Sequence, residues 1–401
     1  MRSFVLAIFF FCFIAEAVAG NSKSRIASIP FEVVGTYIVV KVQINESTHL
    51  NFILDSGLGR TIVTELTAED SLTLRSYEKT LLKGLGVGKE INAFISRGNS
   101  LQIGRMRFVN QMVNLLEEDI FNLSDYTGRK INGLLGSDFF QDHVVKIDYN
   151  TQRIIFYESS SFVVPRGYVA IPLTFKEDKM YAKVLVSDGT GKPREVNMLI
   201  DSGAELAAWF RSFGNNPIKL PEKKIHGYIG QGLNGEIKGY IGRLPRIYFG
   251  GHAMHNPIVS LPDSLTIADA LKDINREGTI GSQILSRFNL IFDEPNEMLY
   301  IKPNGNYRKD FSYNVAGIET VKQNTIPFLP EIFYVWDNSP AAKAGIKPGD
   351  LILDINGQSG FKTDINAIRK LFEQKGKRII TMSILRGPEN RVVKLEMNGT
   401  L

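Results

Sequence analysis

The sequence predicts a mainly β protein in which two similar lobes are followed by a compact third domain. The same landmarks occur twice along the chain, and period-two alternation of apolar residues fills the stretches between Gly, Asn and Asp turns. After about residue 311 the pattern changes to short strands with two helical segments. A chain of 401 residues is long enough for two or three such domains.

The N-terminus has the pattern of a secretion signal. Arg2 precedes an apolar run from Phe4 to Ile14, and Ala17-Val18-Ala19 forms a small-x-small cleavage site. We therefore expect a signal peptide over residues 1–19 and an exported mature chain, either periplasmic or secreted. The apolar run is shorter than the roughly 20 residues that span a bilayer, so no membrane span is expected after cleavage. An uncleaved anchor is the alternative.

Composition argues against several other classes of site. The only cysteine, Cys12, lies in the predicted signal, so the mature chain has no disulfide and no thiol nucleophile. The net charge of +5 is spread along the chain without a basic block, which argues against nucleic-acid binding. His252 and His255 lack an apparent third ligand, and we interpret them as part of a loop. We expect neither a metal nor a cofactor.

The duplication is visible at three landmarks with offsets of 142, 146 and 145 residues. The pairs are Ile29-Pro30 with Ile171-Pro172, Asp55-Ser56-Gly57 with Asp201-Ser202-Gly203, and Leu134-Leu135-Gly136 with Thr279-Ile280-Gly281. Three landmarks in one order at nearly one spacing indicate a repeated fold. We predict lobe 1 over residues 29–160 and lobe 2 over residues 168–304, with closing strands at 144–157 and 290–301.

The third domain is predicted over residues 312–398. Ser339 has the character of a helix N-cap, Pro340 that of a first helical residue and Gly345 that of a stop, which predicts one to two turns. Residues 364–374 place their apolar side chains on one face and predict a second helix.

Each Asp-Ser-Gly turn follows an apolar strand and supplies one carboxylate. A single copy is ordinary turn chemistry. Two copies on packed lobes can bring two aspartates together around one water. Neighbouring carboxyl groups share one proton, so one can act as an acid while the other acts as a base. Asp55 and Asp201 are therefore the candidate catalytic residues. The residues predicted to support these loops are Ser56, Gly57, Ser202 and Gly203.

Residues 29–304 resemble a retropepsin-like aspartic protease of the duplicated, pepsin type, since each half has strand-Asp-Ser-Gly followed later by a hydrophobic motif that ends in glycine. The resemblance implies two β-barrel-like lobes forming one cleft, hairpin flaps over that cleft, and polypeptide substrates bound in extended form. It assigns loop support to Leu135, Gly136, Ile280 and Gly281, and the flaps to Gly84, Gly86, Gly88, Gly230 and Gly232.

Residues 312–398 resemble a PDZ domain of the bacterial protease type, a small α+β barrel. The signature runs from Ser339 to Asp350 and continues with Ile355-Asn356-Gly357. Such domains bind a peptide or a C-terminal ligand by strand addition. The candidates for the loop that binds the terminal carboxylate are Ala316, Gly317 and Ile318.

These observations predict an exported aspartic endopeptidase that needs no cofactor and whose PDZ domain recruits substrate or regulates access. The alternative is a non-catalytic peptide-binding protein on the same fold. Two departures from the family pattern keep it open: Leu58 stands where a small residue is usual, and Thr279 replaces an apolar residue. A self-processing zymogen also stays open, because residues 21–28 are too few to interpret.

Overall fold

The computed structural model describes residues 24–214, 216–268, 271, 275–322, 328–374, 376–399 and 401. The predicted signal lies outside these residues. The described chain is mainly β, with two barrel-like lobes and a small C-terminal domain, so the predicted fold class is confirmed. Within these ranges, no helix combines the length and the apolar character needed to cross a membrane.

Lobe 1 is a curled sheet in the order β2-β3-β4-β9-β5-β8-β7-β6, closed by additional pairing of β3 with β7. The elements of lobe 1 are β1 (Arg25–Pro30), β2 (Glu32–Val34), β3 (Tyr37–Ile44), β4 (Leu50–Leu54), β5 (Thr61–Val63), β6 (Tyr77–Leu82), β7 (Ile91–Ile103), β8 (Met106–Leu116), α1 (Leu123–Thr127), β9 (Gly133–Leu135), β10 (Val144–Asp148) and β11 (Arg153–Tyr157). Strands β1, β10 and β11 lie outside the curled sheet, in a second sheet. Strand β3 buries Ile38, Val40 and Val42 while Lys41 is exposed, as alternation requires.

Lobe 2 repeats this arrangement. Its elements are β12 (Val169–Lys176), β13 (Lys179–Ser187), β14 (Arg194–Ile200), β15 (Ala208–Phe210), β16 (Lys224–Gly232), β17 (Gly235–Arg243), β18 (Arg246–Phe249), β19 (His252–His255), β20 (Ile258–Pro262), α2 (Ser264–Ile267), β21 (Gly278–Ile280), α3 (Ser282–Leu285), β22 (Phe288–Asp293) and β23 (Met298–Pro303). Strand β14 runs parallel to β21, as β4 runs parallel to β9. The repeated landmarks thus lie in equivalent strands of the two lobes.

A sheet shared by both lobes fixes their relative orientation. It runs β1-β11-β10-β22-β23-β12, and the lobes meet where β10 pairs with β22. Beneath this junction the rings of Phe140 and Phe292 are 4.5 Å apart, and both side chains are fully buried. Because this junction is both hydrogen-bonded and packed, the lobes form one rigid base for the loops above it.

The C-terminal domain has a sheet in the order β24-β25-β26-β28-β29. Its elements are β24 (Ile318–Lys322), β25 (Pro330–Val335), α4 (Pro340–Lys343), β26 (Leu351–Ile355), β27 (Gln358–Ser359), α5 (Ile365–Glu373), β28 (Arg378–Arg386) and β29 (Glu389–Met397). Both predicted helices are present with side-chain caps. Ser339 accepts a hydrogen bond from Ala342 N, and Asp364 accepts from Asn366 N.

The predictions of single closing strands at 144–157 and 290–301 are wrong, because each segment is a hairpin. Residue Asp148 accepts hydrogen bonds from Asn150 N and Thr151 N, and Gln152 has a φ of 52°, so the chain turns between β10 and β11. A 3-10 helix at Glu294–Asn296 makes the equivalent turn in lobe 2. Other such helices lie at Ala68–Asp70, Ser137–Phe140, Ser159–Ser161 and Gly360–Lys362.

His252 and His255 also differ from their prediction, since they begin and end strand β19 rather than lie in a loop. The turn before them has positive φ at both Gly250 and Gly251, which favours a tight hairpin. The ring of His252 packs against Phe288, while His255 is exposed. Within the described ranges, no group of three or more His, Cys, Asp or Glu could hold a metal ion.

Candidate active site

Each Asp-Ser-Gly turn lies beside the second motif of its own lobe. Asp55 N donates to Leu135 O at 2.8 Å, and Asp201 N donates to Ile280 O at 3.0 Å. A side chain on Gly136 would collide with the backbone of Arg60. Gly281 is equally close to the backbone of lobe 2. The structure thus brings Leu135, Gly136, Ile280 and Gly281 next to the aspartate loops.

The two serines join the loops across the lobe interface. Ser56 N donates to Ser202 Oγ at 3.1 Å, and Ser202 N donates to Ser56 Oγ at 3.0 Å. Each hydroxyl then donates to the strand of the opposite lobe, Ser56 to Ile200 O at 2.8 Å and Ser202 to Leu54 O at 2.7 Å. Both hydroxyls are committed to the backbone and buried, so they hold the loops and are not available as nucleophiles.

Replacing Ser56 or Ser202 by Ala is expected to lower the free energy of unfolding by about 1–3 kcal/mol, because each change leaves buried backbone groups without partners. The double variant is expected to lose less than the sum, since the two hydroxyls share one network. Urea unfolding of both single variants and the double variant measures this. Ser161→Ala, outside this network, is the control. Strict additivity would contradict the shared network.

The aspartates face each other with a glycine against each carboxyl group. Gly57 N donates to Asp55 Oδ1 at 2.9 Å, and Gly203 N donates to Asp201 Oδ1 at 3.0 Å. A side chain on Gly57 would collide with the carboxyl group of Asp201, and one on Gly203 with that of Asp55. The two carboxyl groups lie close enough for each to influence the pKa of the other. We call this pair the dyad.

Burial is the main electrostatic influence on the dyad. It raises the pKa of Asp55, which is 8 % exposed, and the neighbouring charge of Asp201 raises that pKa further, well above its ordinary value. Burial also raises the pKa of Asp201, but the positive charge of Arg276 opposes that rise. The dyad therefore favours one shared proton, and the nearby charge of Arg276 favours the carboxylate form of Asp201.

Arg276 is a buried cation that the sequence analysis missed. Its Cζ lies 4.7 Å from the centre of the Trp209 ring, and its Nε donates to Gly278 O at 3.4 Å. Its guanidinium also donates to Thr279 Oγ1. Gly278 and Thr279 lie in β21, beside strand β14, which ends at Ile200 immediately before Asp201. The unusual threonine is thus explained, because its hydroxyl holds the cation next to the dyad.

The two lobes differ in the charge that they place around the dyad. Lys179 is half-buried, and both aspartates lie within range of its charge. The lobe 1 residue equivalent to Lys179 is Tyr37, at the landmark offset of 142 residues. The residue equivalent to Arg276 is Ile131, at the offset of 145 residues. Both cations therefore come from lobe 2. Comparing the two copies position by position is the sequence signal that could have found them.

The predicted flap glycines lie in two hairpins whose tips touch. We call β6–β7 the lobe 1 hairpin and β16–β17 the lobe 2 hairpin. Asn234 at the lobe 2 tip donates from its backbone N to Leu85 O at 2.8 Å and accepts from Gly84 N at 2.5 Å. Gly88 N also donates to Asn234 O. A side chain on Gly86 would collide with the backbone of the lobe 2 tip.

Each hairpin tip packs a leucine into the opposite lobe. Leu85 joins the apolar cluster that contains Leu206, and Leu233 joins the cluster that contains Leu58. Leu58 and Leu206 follow the two Asp-Ser-Gly turns, so the departure at Leu58 has a packing role. Within the lobe 2 hairpin, Gly230 lies in β16 at a register shift, and the tip is at residues 233–234.

Comparison with known proteins agrees with these features. Residues 40–139 match the family model described as aspartyl protease, and residues 334–395 match the one described as PDZ domain. Both predicted resemblances are confirmed. The solved structure of the aspartic proteinase from Irpex lacteus is 12% identical, covering 71% of this chain and 98% of its own, with a TM-score of 0.42. No curated protein matches the chain.

The predicted carboxylate-binding loop of the PDZ domain is hydrogen-bonded within the chain. Ala316 is fully buried, and its carbonyl accepts from Ala341 N at 3.1 Å. Gly317, with a φ of 69°, donates from its N to Asn314 Oδ1 at 3.0 Å and accepts from Trp336 N at 2.9 Å. The loop therefore has the expected turn, but its Gly317 amide already has a partner.

The PDZ domain contacts both lobes, and a half-buried acid, Glu319, lies near this contact. Burial raises the pKa of Glu319 to about 7; Arg369 opposes this rise and Glu205 of lobe 2 adds to it. Lobe 1 contributes Tyr126, whose hydroxyl donates to Glu205 Oε2 at 2.9 Å. One arginine thus faces carboxyl groups from two domains.

Replacing Glu319 by Gln is expected to stabilise the chain at pH 8 by about 2 kcal/mol and to change little at pH 5. The pKa of Glu319 is higher in the folded state than in the unfolded state, so its stabilising contribution is present at low pH and is lost as pH rises through about 7. Urea unfolding at both pH values measures this, with the exposed Glu396→Gln as control. A variant with the pH dependence of the wild type would contradict it.

Proposed function

We propose that this chain is an aspartic endopeptidase in which Asp55 and Asp201 act on one water molecule. The observation that carries the proposal is the dyad itself. Two aspartates from repeated loops meet, each beside the glycine of the other loop, and the loops are held by reciprocal serine bonds across the lobe interface. The match of residues 40–139 to the aspartyl protease family supports the same reaction class.

The electrostatics support a division of labour at the start of the reaction. Asp201, stabilised as a carboxylate by Arg276, would take a proton from water while the water oxygen attacks the peptide carbonyl carbon. Asp55 would donate its proton to the carbonyl oxygen. The tetrahedral intermediate then collapses as Asp201 gives its proton to the leaving nitrogen, the C–N bond breaks and one hydroxyl proton returns to Asp55, giving a carboxylic acid and an amine. No covalent enzyme intermediate is required.

The substrate in this proposal is an extended polypeptide with apolar residues around the cleaved bond. The support is the apolar lining that the tips bring near the loops, with Leu85 and Leu206 packed against one apolar cluster and Leu233 and Leu58 against another. Profiling cleavage of a mixed peptide library from pH 3 to 8 by mass spectrometry tests both activity and preference. Charged residues flanking the cut would contradict the apolar preference. No cleavage at any pH would favour the non-catalytic peptide-binding alternative.

We further propose that the chain is exported and that the PDZ domain regulates the protease. The leader pattern of residues 1–19 and the lone Cys12 within it support export. The PDZ contacts with lobe 1 at Thr127 and with lobe 2 at Tyr228 support regulation rather than recruitment alone. N-terminal sequencing of the protein recovered from a cell fractionation tests export, with a mature start near Gly20 expected.

A further inference from the structure

The peptide-binding edge of the PDZ domain is already bonded within the chain. In the described part of the chain, β24 pairs only with β25, so strand addition would use its other edge. On that edge Asn314 Nδ2 donates to Ile318 O at 2.6 Å, and Arg369 of α5 donates to Thr320 O. Asn314 Oδ1 also accepts from Gly317 N. These two side chains thus bond two carbonyl groups and one amide at the edge to which a peptide strand would be added.

Helix α1 of lobe 1 lies across the groove between β24 and α5, and contacts both. Asn366 Nδ2 donates to Thr127 O at 3.1 Å. Ile365 packs so closely against Gly128 that a side chain there would collide with it. The guanidinium of Arg369 lies 3.7 Å from the centre of the Tyr126 ring. A helical turn of the same chain therefore covers the site where a peptide would bind.

The covering helix is connected to the dyad loop of lobe 2. Tyr126 bonds through its hydroxyl to Glu205, four residues after Asp201. The carboxylate of Glu205 also lies against the turn at Gly35, where a side chain would collide with it. On the neighbouring residue of that turn, Thr36 Oγ1 is 2.5 Å from Ser282 Oγ of lobe 2. A change at Tyr126 therefore reaches the segment that carries Asp201.

The PDZ domain also holds the lobe 2 hairpin. The indole of Trp336 fills the space beside Gly227, and the rings of Tyr228 and Phe333 meet edge-on at 5.4 Å. The Nζ of Lys238 lies 5.5 Å from the centre of the Tyr334 ring. The tip of this hairpin is also bonded to the lobe 1 tip. Moving the lobe 2 hairpin away from the lobe 1 hairpin would therefore strain or break its contacts with the PDZ domain. The docked PDZ domain thus restrains opening over the dyad.

We propose that the groove between β24 and α5 binds a peptide with a free C-terminal carboxylate, that α1 keeps it closed in the resting chain, and that peptide binding releases the hairpins. A carboxylate suits the site because it is a stronger hydrogen-bond acceptor than the Asn314 amide oxygen that it would replace. The effect on hydrolysis rests on the proposed function, whereas the binding itself does not.

Peptide binding is measured first in the Asp55→Asn background, where the proposed hydrolysis cannot consume the probe. The probe is a fluorescein-labelled hexapeptide library with an apolar last residue and a free carboxylate, beside the same library amidated. Tyr126→Ala, which removes the ring from Arg369, is expected to bind the free-carboxylate library about tenfold more tightly than the parent. Tyr126→Phe keeps the ring and is the matched control. Equal affinity of the Ala and Phe variants would overturn the covering role of α1.

A reversible disulfide between α1 and α5 tests the same closure by locking the groove shut instead of opening it. A Cβ atom added at Gly128 would lie 3.8 Å from Cβ of Ile365. This is the usual distance between the two Cβ atoms of a disulfide. The chain from Gly20 onward has no other cysteine. We expect the Gly128→Cys, Ile365→Cys variant to lose library binding when oxidised and to regain it when reduced. Binding that is equal in both redox states would overturn the proposal.

Coupling to the dyad is measured with an otherwise wild-type chain and an internally quenched peptide substrate. The free-carboxylate library is expected to raise kcat/KM about tenfold, and the oxidised disulfide variant is expected to lose this response. Binding without any change in kcat/KM would overturn the coupling while leaving the protease proposal intact. Binding by a chain that cleaves nothing would overturn the protease proposal and support only the closed groove.

Discussion

Replacing either Asp55 or Asp201 by Asn is expected to lower kcat by about 1,000-fold or more. Each aspartate has a separate task in the proposed reaction, since one must accept a proton from water while the other donates to the carbonyl oxygen. The amide of Asn can do neither. The geometry should survive, because Asn keeps an oxygen that can accept the hydrogen bond from Gly57 N or Gly203 N. Single-turnover cleavage of a library-derived peptide measures the loss.

The control for these variants is Asp142→Asn, an exposed aspartate of lobe 1 with a φ of 60° that Asn tolerates well. We expect it to cleave at the wild-type rate. The dyad variants should also unfold at or above the wild-type urea midpoint, because they relieve the repulsion between two buried carboxyl groups. Cleavage that persists in either dyad variant at more than a tenth of the wild-type rate would contradict the shared-proton mechanism.

Replacing Arg276 by Met is expected to move the acidic limb of the kcat/KM profile upward by about one pH unit. Arg276 lowers the pKa of Asp201, so its removal makes the first deprotonation of the dyad require a higher pH. At pH 4 the variant should therefore lose about tenfold in kcat/KM, with a smaller loss near neutrality. The alkaline limb should move less, because Arg276 interacts more strongly with Asp201 than with Asp55.

Two further variants separate charge from packing at this position. Arg276→Lys keeps the positive charge but loses the planar contact with Trp209, and we expect it to restore most of the acidic limb. Thr279→Val removes the hydroxyl that accepts a hydrogen bond from the guanidinium of Arg276. It should move the acidic limb of the kcat/KM profile by less than Arg276→Met does. A general loss of activity at every pH, with the limb unchanged, would show a structural role only. Urea unfolding of all three variants accounts for changes in stability.

The strand-turn pattern made the dyad predictable. Apolar residues before each Asp-Ser-Gly demand a buried strand, and the matched spacing of the following motifs demands the same fold twice. A duplicated fold with a shared interface brings equivalent loops together, so Asp55 and Asp201 could be paired although 146 residues separate them. The two PDZ helices were predictable for a local reason, since Ser339 and Asp364 cap the turns that follow them.

Other features depend on contacts between segments that carry no local signal. The hairpins at residues 144–157 and 290–301 were missed because apolar strands on both sides of a short turn resemble one long strand. Glycine suits both turns and bulges, so the sequence does not decide whether Gly230 lies at the hairpin tip or at a bulge within the strand. The register of β16 with β17 decides between them, and register is a property of two strands.

The sequence alone determined the two lobes, the third domain, the loops and the residue types at the dyad, because periodicity, capping and turn chemistry act over a few neighbouring residues. Tertiary structure alone decided the electrostatic asymmetry of the dyad, since a cation such as Arg276 acts through space on a carboxylate from another strand. It also decided that α1 covers the PDZ groove, because Tyr126 and Arg369 meet only after the domains pack. Local interactions are encoded near each residue, whereas desolvation and charge pairing exist only once distant segments are brought together.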